Sequence, residues 1–211
     1  AMDKEISKRI FIKNKINTPK FITYSYNLNK SDLIKKINKK LKFPVVVKPL
    51  NEGSSVNVFI CNKKNIIKNL NSIKNYKKVM IEQFIGGREI QVAIMGKKKL
   101  GAIELKPKRK FYDYKAKYSK KAKTKHLMPA NLSKKKYDEV NKIALKAHRL
   151  LKCRGVSRSD FRFYKNKFYL LETNTQPGMT SLSLVPEIAK FYNISFKNLI
   201  LEIMRDASIN K

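Results

Sequence analysis

Hydrophobic residues recur along the chain with two different spacings, which predict helices and strands. Between residues 134 and 151 apolar residues return every three or four positions, as is typical of an amphipathic helix. Asp3 and Ser31 precede two further helical patterns, and we expect them to be N-caps because their side-chain oxygens can accept from free backbone N–H groups. The predicted helices lie at residues 3–15, 32–41, 63–73, 134–151, 184–192 and 195–206.

Runs rich in β-branched residues predict the strands. Val45, Val46 and Val47 form one such run, and Pro49 is expected to end it. Residues 106–132 show neither spacing, and a loop of this length inside a compact domain is usually functional or disordered. The predicted strands lie at residues 21–24, 43–49, 56–60, 79–84, 89–95, 100–105, 155–163 and 167–172.

The chain is strongly basic, with 49 Lys and Arg residues against 15 Asp and Glu residues and a formal net charge of +34. Such a charge invites comparison with nucleic-acid-binding proteins. The excess is nearly all lysine, however, and it is spread from end to end. A nucleic-acid interface would instead concentrate charge together with arginine and stacking aromatic residues. A solvated basic surface is the favoured interpretation, and no specific nucleic-acid partner is predicted.

Hydrophobic residues make up 42% of the chain, which is ordinary for a globular protein. No apolar run approaches the roughly 20 residues that a membrane helix needs, and no signal peptide is visible. Cys61 and Cys153 lack the spacing of metal ligands and fit free thiols in a reducing compartment. A cytoplasmic protein without membrane contact is therefore expected.

Two short patterns have the residue types that bind nucleotides. Lys48 ends a predicted strand and is followed by the Gly-Ser-Ser turn at residues 53–55, whose backbone N–H groups and hydroxyls could hold phosphates. An ordinary turn is the simpler interpretation of that segment. Glu82 and Glu89 flank a Gly-Gly turn and could bind adenine and ribose. For these two residues a solvated strand end is the simpler interpretation.

A third pattern predicts a metal site. Alternation along a strand places Arg158 and Asp160 on one face, and Glu172 and Asn174 on one face of the partner strand. If the strands pair, two carboxylates and an amide oxygen converge, and Mg²⁺ prefers such hard oxygen ligands. The alternative interpretation is a cross-strand salt bridge between Arg158 and Glu172.

Four segments of the sequence together resemble the signature segments of D-alanine–D-alanine ligases. They are VKP followed by EGSSV within residues 47–56, FYDYKAKY at 111–118, RSDF at 158–161 and ETNTQPGMT at 172–180. They occur in the family's order and cover nearly the whole chain. The NTQPGMT run is the most specific, because other ATP-grasp ligases share the lysines and the Glu/Asn pair but not this run.

The resemblance implies an α+β ATP-grasp fold, in which two α+β lobes with mainly antiparallel sheets hold ATP between them. Residues 1–83 would form the central lobe and residues 84–211 the carboxy-terminal catalytic lobe. The family also carries an amino-terminal substrate domain, which is expected to be absent here because the family's Met-Asp-Lys segment opens the chain. A homodimer is implied for the full-length protein.

The resemblance also implies a role for individual residues. Arg158 and the Gly178 N–H would stabilise the tetrahedral intermediate, and Ser54 and Tyr118 would be linked and close the loop over the site. Ser183 and the Leu184 backbone would bind the carboxylate of the second D-alanine. Two Mg²⁺ ions, or Mn²⁺ in their place, would be bound by Asp160, Glu172 and Asn174. ATP would be contacted by Lys4, Lys48, Ser55, Glu82, Phe84, Ile85, Glu89 and Lys117.

The implied reaction joins two D-alanine molecules for peptidoglycan precursor synthesis. This chain alone is expected to be impaired or inactive in that reaction, because the family's amino-terminal domain supplies part of the site for the first D-alanine. ATP converts the first carboxylate to D-alanyl phosphate, and the amine of the second D-alanine then attacks. The sequence departs from the family pattern at Asn57, where glycine is common, and at Gln83 and Lys115. The alternatives are an ATP-grasp ligase that joins a different acid and amine, and a nucleotide-binding remnant without ligase activity.

Overall fold

The computed structural model describes residues 3–53, 55–106, 124–180 and 182–207, and this part of the chain folds into two antiparallel sheets with helices packed on them. The helices are α1 (Lys4–Lys13), α2 (Lys30–Lys40), α3 (Ile66–Ser72), α4 (Lys134–Leu150), α5 (Leu184–Phe191) and α6 (Phe196–Asp206). The strands are β1 (Phe21–Tyr24), β2 (Val45–Pro49), β3 (Phe59–Cys61), β4 (Val79–Gln83), β5 (Arg88–Met95), β6 (Lys98–Lys106), β7 (Lys125–Leu127), β8 (Val156–Tyr164) and β9 (Lys167–Asn174).

The first sheet has the strand order β1-β4-β2-β3. One of its faces packs on α2 and α3, so that Val45 and Val47 lie in a core with Ile37 and Leu70. Because side chains alternate along a strand, Lys48 lies on the opposite face of β2, which no helix of this core covers. The alternation of side chains along the strands thus places apolar residues on the face that α2 and α3 cover and polar residues such as Lys48 on the other face.

The second sheet has the order β7-β6-β5-β8-β9 and carries helices on both faces. The face that includes Val92 and Phe161 packs on α4. On the other face, α5 and α6 cover only the part that includes Ala93 and Ile103. Glu89 lies on that second face, next to the part that the helices cover, by the alternation of β5.

Helix α1 contacts both sheets. Asp3 caps it as predicted, with its Oδ1 accepting from the Ile6 N–H at 2.9 Å. Phe11 lies in the core of the second sheet, while Glu5 accepts a hydrogen bond from Lys78, which directly precedes β4, at 2.6 Å. The helix therefore presents its core-facing side to two different parts of the molecule.

Three expectations from the sequence were wrong in detail. The N-cap of α2 is Asn29 rather than Ser31, and its Oδ1 accepts from the Asp32 N–H at 2.9 Å. The strand predicted at 56–60 begins only at Phe59, because Ser55 and Asn57 have φ of 61° and 54° and form a turn. The predicted loop 106–132 contains β7, whose three residues are too few for a periodic signal.

Within the described ranges, no helix has the length and apolar character needed to cross a membrane.

Candidate functional site

A cleft lies between the two sheets, and both sheets and α1 contribute to its walls. Lys48 and Glu82 come from adjacent strands of the first sheet, where Val46 pairs with Glu82 and Lys48 pairs with Met80. The second sheet contributes the polar ends of β5, β8 and β9. The site residues predicted from the sequence that line this cleft are Lys4, Lys48, Ser55, Glu82, Phe84, Ile85, Glu89, Asp160 and Glu172.

The Glu82 carboxylate lies between two lysine ammonium groups. Its Oε1 is 2.5 Å from the Nζ of Lys48, and its Oε2 is 2.9 Å from the Nζ of Lys8. Burial alone would raise the pKa of Glu82, but the two ammonium groups lower it below its usual value. Burial lowers the pKa of Lys8 to about 8, although the Glu82 carboxylate opposes this shift. Glu82 and Lys8 therefore carry opposite charges near neutral pH.

Lys4 connects α1 to both walls of the cleft. Its Nζ donates to the carbonyl oxygens of Leu50, at 3.5 Å, and of Glu52. The same ammonium lies 3.7 Å from Oε2 of Glu172 on β9. Burial lowers the pKa of Lys4, and the neighbouring Glu172 carboxylate acts in the opposite direction. Lys4 thus places a positive charge where the two sheets approach each other.

The connection between β4 and β5 forms one end of the cleft. Phe84 donates its N–H to the Pro44 carbonyl at 3.3 Å, and Ile85 is buried. Gly87 has a φ of 83°, and a Cβ there would lie 2.3 Å from the backbone oxygen of Phe163. Only glycine fits that position. Phe84 and Ile85 therefore form an apolar shelf beside the buried carboxylates of the strands. This shelf can accommodate a flat ring and hydroxyl groups.

The predicted metal ligands converge on β8 and β9. Asp160 is directly opposite Glu172, and Arg158 is directly opposite Asn174. The Arg158 guanidinium pairs with both Asp160 oxygens along its own strand, at 2.8 and 3.1 Å. Oδ1 of Asn174 accepts from the Gln176 N–H at 2.9 Å, and a carbonyl oxygen retains a second lone pair.

This donor set fits Mg²⁺. Across the described ranges, no group of three or more Asp, Glu, His or Cys side chains is placed to hold a metal ion. The set on β8 and β9 has two carboxylates, and its third oxygen comes from the amide of Asn174. Mg²⁺ that is bound together with a nucleotide needs only a few protein oxygens as ligands, because the ion keeps several waters and takes its remaining ligands from the phosphates.

The predicted substrate residues lie together beyond the end of β9. Ser183 precedes α5, and its Oγ accepts from the Thr180 N–H at 3.0 Å. A Cβ at Gly178 would lie 2.8 Å from that same Oγ, so the loop folds closely on itself. Leu184 begins α5 and is buried. The predicted residues Ser54, Lys117 and Tyr118 lie outside the described residues.

A protein-family model described as the D-Ala–D-Ala ligase C-terminus matches residues 11–205. The chain belongs to the D-alanine–D-alanine ligase family. The D-alanine–D-alanine ligase of Pelagibacter ubique (strain HTCC1062) is 64% identical over 211 residues, a match that covers 100% of this chain and 69% of that protein. The chain thus spans about two thirds of the length of this relative.

Solved structures of the family have the same fold. The crystal structure of the D-alanine–D-alanine ligase from Bacillus anthracis superposes with a TM-score of 0.84 at 35% identity, covering 97% of this chain and 66% of that one. Its complex with ATP gives a TM-score of 0.80 at 31% identity, covering 97% of this chain and 65% of that one. The two antiparallel sheets are those of an α+β ATP-grasp fold, as the resemblance implied.

Two buried polar residues that contact predicted cleft residues, Lys8 and Gln91, were not singled out in the sequence of this ligase-family chain. Lys8 follows Lys4 by one helical turn, so helical spacing could have placed both on one face. Gln91 is fully buried beside Glu89, and its Nε2 lies 3.4 Å from Oε1 of Glu89. Strand alternation could have placed Gln91 on the cleft side. Nothing in the sequence showed that either side chain would be buried.

Proposed function

We propose that this member of the D-alanine–D-alanine ligase family binds Mg·ATP in the cleft and uses it to join two D-alanine molecules through D-alanyl phosphate. One observation carries the proposal. Lysine ammonium groups from α1 and β2 face carboxylates from β8 and β9 across a single cleft. Cations of this kind neutralise phosphates, and the carboxylates are suited to a metal that bridges them.

The lysines account for activation of the first carboxylate. A carboxylate is a poor electrophile. Phosphoryl transfer from ATP converts it to an acyl phosphate, whose carbonyl carbon is susceptible to nucleophilic attack. Lys4 and Lys48 are nearly buried, and low dielectric strengthens the attraction between their charges and phosphate oxygens. Mg²⁺, held by Asp160, Glu172 and Asn174, would neutralise further phosphate charge when bound. The apolar shelf of Phe84 and Ile85 suits the adenine ring.

The residues beyond β9 account for attack by the second substrate. The first backbone N–H groups of α5 lack partners within the helix and attract a carboxylate, as helix amino termini do. Ser183 and Leu184 would hold the carboxylate of the second D-alanine there. Arg158 and the Gly178 N–H would stabilise the negative oxygen of the tetrahedral intermediate. The second amine would thereby be oriented toward the acyl phosphate.

Isothermal titration with ADP tests the nucleotide and metal roles together. We expect Glu172→Gln to weaken Mg·ADP binding by about 10-fold or more, because it removes a metal ligand. Binding of ADP without metal should change by less than about twofold. The matched control is Glu139→Gln on α4, which packs on the opposite face of the second sheet.

Each outcome of this titration has a defined meaning. Equal losses with and without metal would show that Glu172 acts only as a partner of Lys4. The absence of ADP binding by the folded wild-type chain at millimolar nucleotide would refute the nucleotide site. The reaction itself is tested by measuring phosphate release from ATP with D-alanine and, for comparison, with D-serine. Release that is indifferent to the amino acid would contradict the ligase proposal.

A further inference from the structure

The buried face of α1 is polar where it meets the cleft. Lys8 lies one helical turn after Lys4, and only 1% of it is exposed. Lys4 lines the cleft, whereas Lys8 is not among the described residues that do so. Lys8 instead contacts Glu82, which is itself a cleft residue. An effect of Lys8 on a bound ligand must therefore be transmitted through the Glu82 carboxylate.

Two ammonium groups share the Glu82 carboxylate. Lys48 lies 2.5 Å from Oε1 and Lys8 lies 2.9 Å from Oε2. The Lys8 ammonium also donates to Oγ1 of Thr18 at 2.6 Å. One carboxylate is thus paired with two cations, and this trio carries one surplus positive charge. An uncompensated positive charge at so buried a position is energetically unfavourable, and an anion bound in the cleft would compensate it.

The arrangement separates the two lysines by function. Lys48 lines the cleft, so a phosphate can attract its ammonium away from Glu82. If Glu82 had no second cation, this transfer would leave its carboxylate buried and unpaired, which is strongly unfavourable. Lys8 remains in place on the far side and keeps Glu82 compensated.

We propose that Lys8 is a positioning residue that holds the Glu82 carboxylate as a permanent ion pair and thereby frees Lys48 to bind an anionic group of the nucleotide. The inference rests on the nucleotide binding proposed above. Lys8 itself does not touch the ligand. Thr18 supports it by fixing the position of the ammonium through its hydroxyl.

A double-mutant cycle with Mg·ADP as the probe tests this role. We expect Lys8→Met to weaken binding by about 10- to 100-fold, since Lys48 is then the sole counter-ion of Glu82. In a Glu82→Gln background the same substitution should change affinity by less than about twofold, because no carboxylate remains to be compensated. The control is Lys13→Met at the exposed end of α1. Thermal unfolding of each variant establishes that it is folded.

The outcomes distinguish this inference from the nucleotide proposal. Equal losses from Lys8→Met in both backgrounds would overturn the inference and leave nucleotide binding intact. Failure of the wild type to bind would instead overturn the nucleotide proposal. If Lys8→Met does not fold, Thr18→Val is used, which retains the ammonium and removes its 2.6 Å contact. That variant should bind about 2- to 10-fold more weakly, and only when Glu82 is present. Unchanged binding would overturn the inference.

Discussion

A histidine is buried on the side of the second sheet that faces away from the cleft. His148 is 3% exposed on α4, and its Nδ1 lies 2.7 Å from Oγ of Ser157 on β8. Burial lowers the pKa of His148, the adjacent Arg149 lowers it further, and Asp206 opposes both. The pair joins a helix to the strand beneath it, so its protonation state affects how the two elements pack.

The lowered pKa makes stability depend on pH. In the unfolded chain His148 takes up a proton near its ordinary pKa of about 6.5, whereas the folded chain keeps it neutral to lower pH. The unfolded state then binds more protons, so the free energy of unfolding falls as pH decreases below about 6.5. His148→Gln should flatten this decline between about pH 7 and pH 5 in urea titrations. A decline as steep as that of the wild type would contradict the assignment.

Among the connecting elements, the turn after β2 is braced by side chains. Asn57 has a φ of 54°, and its Nδ2 donates to the Tyr76 hydroxyl at 3.1 Å. That hydroxyl donates in turn to Oε1 of Glu52 at 3.0 Å. Glycine, which the family resemblance leads one to expect at position 57, tolerates the same backbone conformation but offers no side chain. This chain therefore fixes the turn beside Lys48 through contacts that glycine cannot make.

Substitution of Asn57 tests the brace. Asn57→Gly keeps the backbone conformation and removes one hydrogen bond, so Mg·ADP binding should weaken by about 2- to 10-fold. Tyr76→Phe should have a similar effect, and the double variant should be no worse than either single one, because the two changes break the same bridge. Asn166→Gly is the matched control, with a φ of 60° in the β8–β9 turn. Additive losses would show that the bridge is not one unit.

Most elements follow from the sequence because their signals are local. The predicted strand at 21–24 matches β1, and Asp3 and Ser195 begin their helices as capping chemistry requires. The turn at residues 55–57 could not be predicted, because Asn57 adopts its conformation in contact with Tyr76, which is distant in sequence. Lys8 was missed for a related reason. A lysine on a helix resembles a solvated residue until Glu82 is brought beside it.

At the scale of the whole molecule, α1 connects the two sheets. Lys4 donates to the loop after β2 and faces Glu172 on β9. Phe11 packs in the core of the second sheet. The cleft consequently depends on three separate parts of the chain, and a nucleotide bound there would contact all of them.

Ligand binding should therefore stabilise the molecule as one unit. At a concentration of Mg·ADP about 100 times its Kd, binding to the folded state contributes about 2.7 kcal/mol. For a domain of this size that corresponds to a rise in Tm of about 5–10 °C. Differential scanning calorimetry measures the shift, and Mg²⁺ alone is the control. Two separate transitions, of which only one moves with nucleotide, would show that the sheets unfold independently.

The position of α1 in the chain has a consequence for synthesis on the ribosome. The strands of the first sheet all come from residues 21–83, so that sheet can assemble from a contiguous stretch of chain. Lys4 precedes its partner Glu172 by most of the chain, and translation at about 5–20 residues per second separates them by on the order of ten seconds or more. During that interval Lys4 lacks its carboxylate partner on β9. A nascent chain therefore acquires the complete cleft only when β9 has emerged, and ATP cannot stabilise the chain through both sheets before then.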